Sequence, residues 1–263
     1  MAFRAEKRTI AWIGALLFSP ALFAQQSFQY EAWWGHSRLH SMPPHVKKAG
    51  ALGTLTINEA GVSFEQKSKK GKKHPRAWHW DYPNIEQLKI SPKSLSVVTY
   101  KDNKWKLGAD RQYDFDLVSD NSFEDAYRFL KTRLDQRFVA VIADGPAHTL
   151  WEMPAKHLSA FGGDEGVLQV GTREIVYKSA NKGETRTWRY QDIDNISSSG
   201  PFLLTLTTFE RAKLDYGSQR QFNFQLKQRL EEARYNDLWL RLNQSKGLQI
   251  LSLYREPGAD GPR

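Results

Sequence analysis

The chain carries one pattern twice. Gly53-Thr54-Leu55-Thr56-Ile57, then Gly61-Val62-Ser63-Phe64, is answered by Gly166-Val167-Leu168-Gln169-Val170, then Glu174-Ile175-Val176-Tyr177. Further on, Trp80-Asp81-Tyr82-Pro83-Asn84-Ile85 is answered by Trp188-Arg189-Tyr190-Gln191-Asp192-Ile193. Arg111-Gln112-Tyr113-Asp114-Phe115-Asp116-Leu117 is answered by Arg220-Gln221-Phe222-Asn223-Phe224-Gln225-Leu226. Each copy ends in a helical stretch, where Tyr127, Leu130 and Leu134 match Tyr235, Leu238 and Leu242. Landmarks that recur in one order imply two copies of one small fold. A chain of 263 residues holds two such units, each large enough to bury its own core.

Within each copy the hydrophobic period is mostly two. Thr54–Asn58 and Val62–Gln66 alternate across the turn Glu59-Ala60-Gly61. Trp78–Tyr82 is a third strand, with Trp78, Trp80 and Tyr82 on one face. Gln87–Ser91, Leu95–Lys101, a weak Lys104–Leu107 and Arg111–Val118 complete the first set. The second set reads Val167–Gly171, Glu174–Ser179, Thr185–Tyr190, Asp194–Ser198, Phe202–Phe209, Ala212–Tyr216 and Arg220–Leu226. The period then changes to that of a helix. Phe123, Tyr127, Leu130 and Leu134 follow Ser122, an N-cap with Asp125 as its capping-box partner. The second helix is expected over about 227–243, with Leu230, Tyr235, Leu238 and Leu242 inward.

Seven short strands and one amphipathic helix is a specific order. Strands of this length make a strongly bent sheet, and the helix is the natural cover for its open end. On that order, and on the Gly-x-Leu-x-Ile, Gly-Val-x-Phe and Trp-x-Tyr-x-x-Ile landmarks, each copy resembles the pleckstrin-homology-like superfold, including its GRAM and bacterial variants. The resemblance implies a mainly β chain: two tandem seven-stranded bent-sheet barrels, each capped by a C-terminal helix. It implies no chemistry, since this scaffold serves phosphoinositide binding, peptide binding and dimerisation alike. The units are expected over 50–136 and 166–245. An aromatic lead-in covers 25–49, a linker 137–165 and a tail 246–263. The lead-in, and its counterpart Trp151-Glu152-Met153-Pro154, are expected as packed loops or short helices. Leu248–Tyr254 is an added strand or packed arm.

Residues 1–24 read as a secretory signal. Arg4, Lys7 and Arg8 precede an apolar run from Ile10 to Phe18, too short for the ~20 residues of a permanent span. Cleavage is expected after Ala24, giving a periplasmic or secreted protein; a retained N-terminal anchor is the alternative. With no cysteine there is no disulfide, thiol nucleophile or cysteine metal site. The net charge of +9 suits an anionic surface or an acidic partner.

The densest charge lies in Lys67, Lys69, Lys70, Lys72, Lys73 and Arg76, around Gly71, in the loop joining the second and third strands of copy one. Beside Trp78 and Trp80 it is a candidate contact for anionic headgroups; the plainer reading is a solvated loop. In the superfold the phosphoinositide site usually involves the first hairpin loop, here the short, non-basic Glu59-Ala60-Gly61. His36, His40 and His45 include one helical metal-ligand spacing, but Pro43-Pro44 interrupts it, and packing histidines are the expectation. No Gly-x-Ser-x-Gly elbow, phosphate-cradling loop or His-Glu-x-x-His is present. Asp114 and Asp116 face solvent beside an aromatic face.

The expectation is therefore a non-catalytic exported module that holds a protein or peptide partner at the cell envelope through strand edges or an edge–helix groove. No cofactor, metal or nucleic acid is expected. The alternatives are a carrier of lipid or a small amphiphile, and an unrecognised hydrolase in which a histidine and a carboxylate converge across the units.

Overall fold

A computed structural model describes residues 26–35, 50–67, 75–103, 110–135, 137–146, 148–159, 162–181, 185–211 and 219–245. The signal reading, His36, His40 and His45, Lys104–Leu107, Ala212–Tyr216 and Leu248–Tyr254 lie outside these residues.

Period-two alternation sets the architecture. The first run of strands is β1 (Ser27–Gly35), β2 (Gly50–Asn58), β3 (Gly61–Gln66), β4 (Ala77–Asp81), β5 (Ile85–Ile90), β6 (Ser94–Asp102) and β7 (Asp110–Leu117). Helix α1 (Glu124–Lys131) and the short β8 (Arg137–Ala140) follow. The second run is β9 (Thr149–Ser159), β10 (Gly162–Gly171), β11 (Glu174–Ser179), β12 (Arg186–Arg189), β13 (Ile193–Gly200), β14 (Leu203–Arg211) and β15 (Gln219–Leu226), then α2 (Glu232–Ser245). The protein is mainly β, and the strands join one open mixed sheet in the order β13-β14-β15-β9-β10-β11-β12-β8-β5-β6-β7-β1-β2-β3-β4. Either side of β8 the order is the same, element for element. The sequence repeat is thus also a repeat of topology.

The repeated glycines have a shared reason. A Cβ on Gly53 would collide with the Glu65 carbonyl and the Phe64 ring; one on Gly166 would collide with the Lys178 carbonyl and the Tyr177 ring. In both places an aromatic ring lies across a bare stretch of strand. That explains why each glycine is followed, one hairpin later, by Phe or Tyr.

Two apolar clusters result. The first gathers Leu55, Ile57, Phe64, Leu88, Phe115, Phe123, Tyr127 and Leu130, and the second Leu168, Ile175, Tyr177, Leu206, Phe222, Phe224, Leu238 and Leu242, all essentially without solvent contact. The expected inward residues join these clusters, but Tyr235 is only half-buried and α2 starts at Glu232, which leaves Leu230 ahead of it. The expected cap differs in detail: Ser122 Oγ accepts from the Glu124 N–H at 3.3 Å, while Asp125 is drawn to Arg128 at 2.9 Å instead of closing a capping box.

The aromatic lead-in and the linker are corrected more substantially. The described part of the lead-in, Ser27–Gly35, and its counterpart Trp151-Glu152-Met153-Pro154 lie in strands, not in loops or short helices. β1 pairs with β2 along its whole length, from Ser27↔Asn58 to Gly35↔Gly50, and also with β7. β9 pairs with β10 and β15. The physical signal is alternation: Phe28, Tyr30, Ala32 and Trp34 share one side of β1, and Met153, Ala155 and His157 are the buried positions of β9.

Candidate functional site

An open sheet has two ends, and here they are β4 and β13. Such edges carry unpaired backbone donors and acceptors, which makes them natural docking rails for another strand. The molecule itself shows what this type of edge receives. β13 is the repeat counterpart of β5, and β5 is not an edge. The stretch that follows α1 returns as β8 and lies parallel to β5, with Gln87↔Arg137, Leu88↔Phe138, Lys89↔Val139 and Ile90↔Ala140 in register. Phe138, Val139 and Ala140 are buried.

The counterpart positions on β13 are Asn195, Ile196, Ser197 and Ser198. Both strands carry the same irregularity just before this stretch, at Ile85/Gln87 and at Ile193/Asn195, so the two edges are presented alike. On β13, Ile196 is buried, while Asn195, Ser197, Ser198 and Ser199 are exposed. Its remaining side pairs with no strand among the described residues.

The helix beside each edge tells the same story from two sides. Tyr127 of α1 stacks on Phe138 of β8, ring centroids 6.0 Å apart and planes 16° from parallel, and its hydroxyl donates to Asp144 at 3.2 Å. Burial raises its pKa strongly. The matching Tyr235 of α2 has no such strand to stack on among the described residues; it is half-buried and donates to the Ile196 carbonyl at 3.3 Å. One turn on, Trp239 occupies the position of Lys131 and is also half-buried. Residues four apart share a helix face. Tyr235, bonded to the Ile196 carbonyl, and Trp239 on the same face of α2 both pack against the second apolar cluster, which includes Ile196.

The junction between the two strand runs is polar and tightly keyed. Arg189 forms a bidentate pair with Asp192, 2.7 Å on each arm, and Nη1 donates to the carbonyls of Leu134 at 2.5 Å and Lys131 at 3.1 Å. The guanidinium thereby satisfies carbonyls left over at the end of α1, where a cation is favoured. Gln191 adds a bond to the Leu134 carbonyl at 3.1 Å, and Thr187 one to Ile142 at 2.6 Å. Arg211 pairs with Asp110, and Arg137 with Glu86 at 2.9 Å. Burial, and then the neighbouring Asp110 carboxyl, push the Glu86 pKa up. Burial also raises that of Asp192, against the pull of Arg189.

Two hollows flank this junction. A cavity of about 90 Å³ between Arg137, Trp188, Asp192 and Glu210 is far below the ~300 Å³ at which ligand pockets begin. A broad open cleft of about 1070 Å³ lies between α1, the β10–β11 turn and the end of α2. Its cations are mostly engaged: Lys131 with Glu174 and Asp144 at 2.5 and 3.2 Å, Arg241 with Asp237 at 2.7 Å, Arg128 with Asp125 at 2.9 Å.

Of the basic loop, Lys67 and Arg76 are described. Lys67 pairs with Glu31, and the Arg76 carbonyl accepts from the Gln66 N–H at 2.9 Å, which closes the base of the hairpin. Lys69, Lys70, Lys72 and Lys73 lie outside the described residues. His79 Nε2 sits 2.9 Å from Asp81 Oδ1 at an exposed site two residues away on the same strand, unlike a catalytic pair in a cleft. His157 is buried among Tyr177, Phe222 and Phe224. Among the described residues no group of three or more His, Asp or Glu is placed to hold a metal ion.

No family model matches the chain, and no curated protein does. Among solved structures it is similar to the C-terminal domain of an unknown protein from Leishmania infantum, at 13% identity over 46% of this chain and 94% of that one, with a TM-score of 0.29. It is also similar to the Spt16D Pob3N heterodimer, at 14% identity over 76% of this chain and 96% of that one, with a TM-score of 0.28. Likenesses this distant carry no functional weight.

Proposed function

We propose that this chain is an exported, non-catalytic interaction module built of two tandem pleckstrin-homology-like units, one on each side of β8, each with its helix over the open end of a bent sheet. Its work is to hold an extended, apolar segment of a partner protein by strand addition along β13, beside Tyr235 and Trp239 of α2. One observation carries this reading: the equivalent edge, β5, already holds a parallel apolar strand, β8, in matching register. Backbone bonds along the rail supply affinity, and the two rings select an apolar side chain at the position that Phe138 fills on β8. A lipid or amphiphile carrier needs an apolar chamber; the strand-lined interiors here are filled by buried aromatic and aliphatic side chains.

The basic hairpin Lys67–Arg76 adds a second, weaker contact. Its base is closed and its tip carries the chain's densest charge, which suits an anionic envelope surface. Sedimentation with anionic vesicles at low and physiological salt tests it. Salt-sensitive binding that is lost when Lys69, Lys70, Lys72 and Lys73 are neutralised is the expected result.

The test of the main reading uses a synthetic peptide with the sequence of residues 136–142, which contains β8. Added to the chain, it is expected to slow amide exchange over 193–200 and leave 85–90 unchanged. Binding without protection of 193–200, or no binding, sinks the reading.

A further inference from the structure

We infer that the β13–β14 turn, Pro201-Phe202-Leu203, is an insertion point that seats this end of the second unit in a bilayer of anionic phospholipid. These residues belong neither to the β13 rail, Asn195–Ser199, nor to the basic hairpin Lys67–Arg76.

The turn has a twin in the first copy, and both are fixed by the same pair of backbone bonds. The Leu117 N–H donates to the Lys93 carbonyl at 2.9 Å, and the Leu226 N–H to the Phe202 carbonyl at 2.8 Å. The Phe123 N–H donates to the Pro92 carbonyl at 3.0 Å, and the Leu230 N–H to the Pro201 carbonyl at 2.7 Å. Pro92 thus answers Pro201, Lys93 answers Phe202 and Ser94 answers Leu203. In the first copy the lysine reaches back, its Nζ donating to the carbonyls of Asn121 at 3.0 Å and Ser119 at 3.4 Å. That is an ordinary polar end to a hairpin. In the second copy Phe202 is 51% exposed and Leu203 38% exposed, beside an exposed Pro201. Apolar residues exposed singly need no explanation; three in a row, where the twin carries lysine and serine, call for a partner.

The turn is braced to hold them out. Ser198 Oγ lies 2.7 Å from the Gly200 carbonyl and 2.8 Å from the Leu203 carbonyl. A Cβ on Gly200 would meet nothing within 4 Å, so the backbone at the tip stands clear of its neighbours. A convex tip has no concave walls to hold a small molecule. It suits a phase that closes around it, as the headgroup–acyl boundary of a bilayer does.

The charges behind the tip match that layering. The segment bonded to the turn at Leu226 and Leu230 carries exposed Lys227 and Arg229 between those two bonds. On the same face of the sheet Leu203 lies opposite Gln225, and Gln225 opposite Lys156, so a third cation stands two strands along. Of the nearby acids, Glu165 is paired with Lys227 at 2.9 Å and Glu231 with Arg234 at 3.4 Å, while Arg229 pairs with no carboxylate among the described residues. Apolar side chains outermost with cations just behind them complement anionic headgroups lying over acyl chains. Because β13 ends at Gly200, a seated tip brings that strand to the membrane surface.

The chain has no cysteine, so a single introduced one reports a single place. Full-length Leu203→Cys, which keeps Phe202, and Lys93→Cys are each labelled with a polarity-sensitive fluorophore. Each is mixed with vesicles of phosphatidylglycerol and phosphatidylcholine, or of phosphatidylcholine alone. The label at 203 is expected to shift to the blue on the anionic vesicles and to be quenched by spin-labelled acyl chains; the label at 93 should do neither. Unlabelled F202D/L203D should bind anionic vesicles about tenfold more weakly or worse than the parent, with thermal unfolding unchanged because both side chains are already exposed. Vesicle binding that leaves the label at 203 unmoved overturns the inference and leaves the Lys67–Arg76 hairpin as the lipid contact. Equal shifts at 203 and 93 overturn it too, as does full binding by the double variant. No binding to either vesicle sinks the insertion point and the hairpin contact together, and leaves strand addition at β13 to its own test.

Discussion

The β5 and β13 edges begin from the same sequence pattern and end in different states. At β5 a strand is in place, Tyr127 is fully buried against it, and Glu86 is buried beside it. At β13 the rail is polar, Tyr235 is half-buried, and Asp194, the counterpart of Glu86, is half-buried too. The difference teaches that equivalent strands need not have equivalent neighbours: among the described residues β5 is covered and β13 is not. In the first unit the cover also bridges to the second, because β8 meets β12 through Ala140↔Thr187 as well as β5. One short strand thus serves as an edge cover for one copy and a seam for both.

The largest test of that contrast removes the cover's anchor. Phe138→Ala deletes a ring that is 4% exposed, stacked on Tyr127 and under the Arg189 guanidinium. A buried Phe→Ala change costs about 3–5 kcal/mol. Denaturant unfolding should show that loss, and amide exchange over 85–90 should rise toward that of an uncovered edge. A change under about 1 kcal/mol would mean that β8 is not held by its apolar side chains, and the analogy with β13 would lose its basis.

The corners show the same asymmetry. In the second copy Arg189 and Asp192 lock onto the end of α1; in the first copy the matching positions are Asp81 and Asn84, both exposed at the far end of the sheet. The clamp is written once, so the join that links unit to unit has no matching half on the β4 side. Arg189→Ala strands a buried Asp192 carboxylate, and breaking such a pair costs about 3–5 kcal/mol. Asp81→Ala, on the surface, should stay within about 0.5 kcal/mol. Equal effects at the two corners would erase the distinction.

Most strands were legible because alternation and the glycine–aromatic landmarks repeat. Gly53 and Gly166 located β2 and β10 directly, and Leu130, Leu134, Leu238 and Leu242 placed both helices. β1 was hidden by its own richness: Trp33 breaks the polar face that makes Phe28, Tyr30, Ala32 and Trp34 read as a strand. β9 was hidden by Pro154. In the fold that proline is harmless, since its carbonyl accepts from Lys227 and it lies just beyond the four residues, Ala155–Leu158, that pair with β15. The sequence pointed to a strand edge or an edge–helix groove, but not to which edge. Tyr127 and Tyr235 look equivalent in sequence. Only the placement of β8 separates them, and that placement is decided by pairings between residues some fifty positions apart, Leu88 with Phe138 among them.

The smallest test uses protons to ask whether the covered edge is really the drier one. Glu86 pairs with Arg137 at the start of β8, and its carboxyl pKa is raised, first by burial, then by Asp110. A carboxyl raised in the folded state binds its proton more tightly there than in the unfolded chain, whose glutamates titrate near ~4.3. Between the two values the folded state holds more protons, so stability grows as pH falls and is lost as pH rises through the folded value. Asp192, also raised by burial, adds in the same direction. Unfolding followed from neutral pH downward should therefore show a shallow gain before the ordinary acid loss sets in. Glu86→Gln should flatten its share of that gain while leaving the share of Asp192. If the parent shows no gain, or the variant keeps all of it, Glu86 is solvated, the start of β8 is loose, and the two edges are more alike than their packing says.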